Sequence, residues 1–168
     1  NYEDKPIELY QRLRLNIDLG EELKANIYSF PMKYLPIEDP KYFDNRDYIG
    51  IWWNRKFIRT IQAILNSTKG KVGSGKSFFC KAFGANEAEF IKLLYMPEAM
   101  IIYRTFFEEK GLTDEWWNAY SSLSEAEKNI ADPIIEKNDF TAYEDLTANV
   151  NVLNVLSYYR ITKEKITK

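Results

Sequence analysis

Between Asn54 and Lys81 the chain carries seven Lys or Arg and no Asp or Glu, and within that stretch runs Gly70-Lys71-Val72-Gly73-Ser74-Gly75-Lys76-Ser77. These residue types at this spacing fit the phosphate-loop pattern: glycines bring backbone N–H groups close to a phosphate, the lysine neutralises it, and the hydroxyl serves a magnesium ion. Such a loop also needs a buried β-branched strand feeding the turn and a helix that begins at Lys-Ser. Only the second condition is met. Gly70 follows an amphipathic helical pattern ending in Asn66-Ser67-Thr68-Lys69, and no later apolar strand ends in an Asp for the metal. Three readings stay open: a nucleotide site, a site for another anion or a nucleic-acid phosphate, and a tight helix-to-helix connection whose glycines serve backbone angles. The anion-binding candidates are Lys71, Gly73, Gly75, Lys76 and Ser77, joined by Arg55, Lys56 and Arg59.

The basic stretch, at +7, stands between an N-terminal part (residues 1–53) at −3 and a C-terminal part (82–168) at −6. An island of this kind attracts phosphate or an acidic partner, or docks on the acidic remainder of its own chain. Trp52, Trp53, Phe57, Phe78 and Phe79 lie near it, so stacking on nucleic-acid bases is a further option. Helical spacing favours core for those rings, and the overall charge of −2 opposes non-specific nucleic-acid binding.

The composition closes other routes. With no histidine, the chain lacks the residue that most often moves protons near neutral pH, and with it the Ser-His, Cys-His and His-metal constellations. The single cysteine, Cys80, sits among Phe78, Phe79, Ala82 and Phe83 and reads as a buried, inert thiol. No catalytic residue and no metal ligand is assigned. No apolar run approaches the roughly 18 residues of a membrane span, so a cytoplasmic setting is expected. The chain opens at Asn1 without an initiator methionine and runs straight into a structured pattern, as a piece of a longer protein would.

The elements that must position these residues are helical. Pro6 with Ile7, Tyr10, Leu13 and Ile17 predicts a first helix ending near Asp18 to Gly20. Asn26–Tyr34 reads as extended, with Pro31 forbidding a fully paired central strand. Residues 35–48 are turn-rich and form the expected boundary. Apolar residues from Ile51 to Leu65 predict an amphipathic helix over Tyr48–Asn66. Further helices are expected from Asn86 with Glu89, from Pro97 to Gly111, from a Thr113 cap, from Ser124 with Glu127 up to a break or kink at Pro133, and from Tyr143 to Tyr159. The predicted fold is mainly α, a multi-helix bundle-like domain with at most one or two short N-terminal strands, divided as 1–47 (helix plus extended segment) and 48–168 (helical domain).

Several strings carry a family resemblance: Leu9-Tyr10-Gln11-Arg12-Leu13-Arg14, Ile27-Tyr28-Ser29-Phe30-Pro31-Met32-Lys33-Tyr34, Arg46-Asp47-Tyr48-Ile49-Gly50, Trp53-Asn54-Arg55-Lys56, Thr68-Lys69-Gly70-Lys71, Gly75-Lys76-Ser77-Phe78-Phe79 and Lys81-Ala82-Phe83-Gly84. In these the chain resembles the C-terminal region of radical S-adenosylmethionine proteins with a cobalamin-binding-like N-terminal region. The resemblance implies that residues 1–47 include the closing helix and strand of a partial αβ barrel. It also implies that a 4Fe-4S cluster and S-adenosylmethionine belong to the parent, and that missing N-terminal domains are partners of this chain. Lys33, Tyr34, Arg46, Asp47 and Asn54 become substrate-facing candidates on that basis. The family's C-x-x-x-C-x-x-C run is absent here, so the expectation is an accessory helical region that is not catalytic alone. The alternatives are a helical nucleic-acid- or phosphate-binding module using residues 54–81, and a P-loop-like nucleotide-binding protein.

Overall fold

The computed structural model describes residues 3–42, 47–73 and 75–167. Their helices are α1 (Pro6–Glu22), α2 (Arg55–Ser67), α3 (Lys76–Phe83), α4 (Glu87–Tyr95), α5 (Glu98–Ile102), α6 (Arg104–Glu109), α7 (Leu112–Ser121), α8 (Glu125–Lys137), α9 (Val150–Ser157) and α10 (Lys163–Ile166), with single 3-10 turns at Pro40–Tyr42, Tyr143–Asp145 and Tyr158–Arg160. The fold is mainly α, as the periodicity requires. Among the described residues the one β feature is an isolated antiparallel bridge between Ser29 and Val72.

Local chemistry fixes most helix ends. Pro6 opens α1, where its missing N–H costs nothing. The Ser124 side chain accepts from Glu127 N while Glu127 reaches back to Ser124 N, a complete capping box for α8. Asn86 accepts from Glu89 N, but the Glu89 carboxylate turns to Ala85 N instead of closing a box.

Four expected boundaries move. The helix predicted from Tyr48 starts only at Arg55, because Trp53 N closes a turn on Gly50 O and Asn54 then caps Phe57 N at 2.8 Å. The Pro97–Gly111 helix is broken at Tyr103, whose backbone (φ −109°, ψ 44°) leaves the helical region. Thr113 does not cap α7: Gly111, at φ 73°, precedes the helix, and Thr113 is buried within its first turn with Oγ1 unpaired among the described residues. The last helix is shortened to Val150–Ser157, capped by Asn149, leaving Leu146 and Val150 exposed. Helix α8, by contrast, continues through Pro133 to Lys137.

Three clusters make the core. The first joins Tyr10, Leu13 and Ile17 of α1 to Phe57, Ile61 and Ile64 of α2 and to Phe79, Phe83, Phe90 and Leu94. The second holds α7, α8 and α9 together through Tyr120, Ile135, Val152 and Leu156. The third seats Leu93, Met96, Met100, Phe107 and Trp116. Tyr95, the last residue of α4, packs against all three. Its ring meets Phe57 edge-on at 5.1 Å and stacks on Tyr120 at 5.5 Å.

The carbonyls at that helix end have no helical partners and are met by side chains from elsewhere. Thr60 Oγ1 donates to Leu94 O at 3.2 Å, Tyr159 Oη to Tyr95 O at 2.6 Å, and Lys56 Nζ to Met96 O at 2.6 Å. Lys56 also donates to Thr60 Oγ1 at 2.6 Å and is 1% exposed. Burial pushes its pKa down to about 7, with the Glu98 carboxylate opposing the fall.

A lysine whose folded pKa lies below its unfolded value binds fewer protons folded than unfolded between pH 7 and 10. Stability therefore rises with pH across that window, by up to about 1.4 kcal/mol per unit. Above pH 10 the trend reverses, because Tyr95, Tyr120 and Tyr159 are held neutral by burial while unfolded phenols ionise. Urea midpoints measured from pH 6 to 11 are expected to peak near pH 9.5 to 10, and Lys56→Met to abolish the rise between pH 7 and 9.5. A wild-type profile that is flat over that window would contradict the buried, depressed lysine.

Candidate functional site

Helices α1 and α2 both lie against α4, and the space left between them is a half-open cleft of about 600 Å³. Volumes of this order suit a small ligand. Each helix offers one stripe at i, i+3, i+4 and i+7 spacing: Leu9, Arg12, Leu13 and Asn16 from α1, and Ile58, Ile61, Gln62 and Leu65 from α2. Each stripe sets apolar side chains beside polar ones.

The third wall is the extended segment Ser29 to Leu35. Its start is tied by Ser29 N and O to Val72 O and N at 2.7 and 2.8 Å, and by Asn16 Nδ2 donating to Ser29 Oγ at 2.8 Å. Beyond that bridge Phe30 and Met32 are 64% and 86% exposed, and Ile37 follows at 78%. Tyr48, Gly50 and Trp53 close one end, with Trp53 Nε1 held by Asp4 O at 2.8 Å.

The substrate-facing candidates fall around this cleft to differing degrees. Lys33 and Tyr34 line it. Burial lowers the Lys33 pKa, Asp47 opposes that shift and Arg55 reinforces it, so these three charges share one neighbourhood. Tyr34 meets Tyr48 edge-on at 5.6 Å. Asn54 is spent as the cap of α2. Arg46 lies outside the described residues. Sequence reasoning missed Arg12, Asn16 and Gln62, whose signal is a polar residue set into an otherwise apolar helical stripe.

The anion-binding candidates do not converge. Lys56 is enclosed in the core, Arg59 makes two 2.8 Å bonds to Glu98, and Lys71 lies over the Tyr28 ring at 3.5 Å. Gly70 is fed by helix: its N–H returns to Leu65 O at 2.8 Å, closing α2. A Cβ on Gly73 would stand 2.4 Å from the Tyr28 ring, so that glycine serves a close approach. Gly75, at φ 103°, precedes α3. There the Lys76 N–H meets Glu21 Oε1 at 3.1 Å and Lys76 Nζ pairs with Asp18 at 3.3 Å, so carboxylates of α1 already satisfy donors that a phosphate would need. Ser77 is exposed on the first turn of α3, and Ser74 lies outside the described residues.

Cys80 is half-buried against the first core cluster, away from the cleft. Among the described residues no group of three or more His, Cys, Asp or Glu is placed to hold a metal ion, and no helix is long and apolar enough to cross a membrane. Compared with protein families, curated proteins and solved structures, the chain matches none.

Addition of magnesium-ATP at millimolar concentration is expected to leave the melting temperature unchanged. An upward shift of several degrees that disappears in Lys76→Ala would show that nucleotide displaces the Asp18 and Glu21 contacts.

Proposed function

We propose that the chain is a non-catalytic accessory region of a larger enzyme, of the radical S-adenosylmethionine type its sequence resembles, and that it presents the α1/α2 cleft to a substrate handled elsewhere. The observation that carries this reading is the wall of the cleft. The segment pinned at Ser29 leaves Phe30 and Met32 largely exposed at the mouth of the cleft, and Ile37, in the turn that follows, is exposed as well. Extended backbone with exposed apolar side chains is a template for pairing with another strand. On this reading the catalytic part of the parent supplies that cover and closes the cleft on its open side.

The residues present do not fit an iron-sulfur cluster. Three thiolates are needed, and Cys80 alone is packed against the core. The cluster and S-adenosylmethionine therefore belong to the parent's other domains. What this chain contributes is positioning: two helices anchored on α4 hold Arg12, Asn16 and Gln62 at fixed places along an apolar channel.

The encoding reading frame is expected to continue upstream through a C-x-x-x-C-x-x-C run. In the parent enzyme, Met32→Asp is expected to reduce turnover at least tenfold while leaving the melting temperature of the isolated chain within about 2 °C. An upstream frame without the cysteine run, or a parent indifferent to Met32→Asp, would overturn the reading.

A further inference from the structure

We propose that the α1/α2 cleft binds a small amphipathic carboxylate, its apolar body lying along Leu13, Ile58, Ile61 and Leu65 and its acid head turned toward Arg12 and Lys33. This names the substrate class for the accessory cleft and so rests on that reading, but the binding itself belongs to this chain alone.

The chemistry of the lining selects the class. The two helical stripes supply apolar side chains along the length of the cleft, and Trp53 adds an aromatic surface at its end. Removing such a body from water contributes roughly 25 cal/mol per Å² of apolar surface. The polar groups are weighted toward donors. Arg12 uses one guanidinium nitrogen on Asp4 and is 46% exposed at its side chain, so further N–H groups remain for a ligand. Gln62 is exposed on α2 and its amide makes no hydrogen bond among the described residues. Lys33 stands beside Asp47 and Arg55: burial disfavours its charge, Asp47 favours it and Arg55 disfavours it. A further cation arriving there would add to the repulsion from Arg55, whereas a carboxylate would not.

The guanidinium fork on a helix suits a planar carboxylate, which can accept two parallel N–H bonds. An uncharged ligand of the same body would gain the apolar contacts but no charge-assisted bond from the guanidinium. Discrimination between the two is therefore the signature of the site.

The test uses 1-anilinonaphthalene-8-sulfonate as an anionic probe and N-phenyl-1-naphthylamine as the same aromatic body without the acid, with octanoate and octanol as competitors. Fluorescence titration is expected to give one saturable site that prefers the anionic probe at least tenfold. Octanoate is expected to displace the probe and octanol to do so at least tenfold less well. Arg12→Gln, on an exposed ion pair whose loss is a small stability change, is expected to erase the preference. Gln62→Trp, an exposed substitution that fills the cleft, is expected to abolish saturable binding, with the circular dichroism of both variants unchanged. Equal affinity for the two probes, or anionic binding that survives Gln62→Trp, overturns the assignment. If the upstream cysteine run is found while binding fails, the ligand class is wrong and the accessory reading stands; if binding succeeds without that run, the reverse holds.

Discussion

The end of α4 is the constraint on which the rest depends. A helix that stops inside a core leaves carbonyl oxygens that must find donors, and each one left unpaired costs about 1–3 kcal/mol. Here the donors are Thr60 and Lys56 of α2 and Tyr159 beyond α9, so satisfying one helix end draws together segments far apart in sequence. The Tyr95 ring, touching all three apolar clusters, lies at the same point. A cation at a helix C-terminus is favoured by the helix dipole, which offsets part of the cost of burying Lys56.

The cleft follows from this arrangement. Both α1 and α2 pack on α4; Leu13 and Ile61 of the two stripes enter one buried cluster there, and the cleft opens beside it. Two walls are thereby anchored on α4, while the third is fixed at Ser29 and runs on with Phe30 and Met32 exposed at the mouth of the cleft. The basic stretch does not act as a unit: Lys56, Arg59, Lys76 and Lys71 are spent on Met96 O, Glu98, Asp18 and the Tyr28 ring, four separate places.

Much of the fold was legible because it is locally encoded. Pro6, the Ser124–Glu127 box, the Asn86 cap and the amphipathic pattern of α2 all act within a few residues of themselves, and the helix feeding Gly70 already separated that loop from a strand-fed phosphate site. The errors arose where tertiary contacts prevail. Thr113 is a good cap by type, yet its neighbour Trp116 is fully buried and draws the first turn of α7 inward. The apolar spacing after Tyr143 resembled one helix, but Leu146 and Val150 find no core to enter, and the helix begins only at Val150 behind its Asn149 cap. Lys56 looked like part of a charged island. Its register with Thr60 and Ile64 placed it on the inward face, a signal available in the spacing and outweighed by its charge. The Arg59–Glu98 pair joins α2 directly to α5, the cleft lies between α1 and α2, and nothing local announces either.

The most direct measurement is native-state amide hydrogen exchange along the isolated chain. Amides of α2 and α4 are expected to exchange only through global unfolding, while those of Phe30 and Met32, whose side chains are 64% and 86% exposed, exchange orders of magnitude faster. Protection at Phe30 and Met32 equal to that of α4 would mean that this wall is already covered, leaving nothing there for another domain to complete.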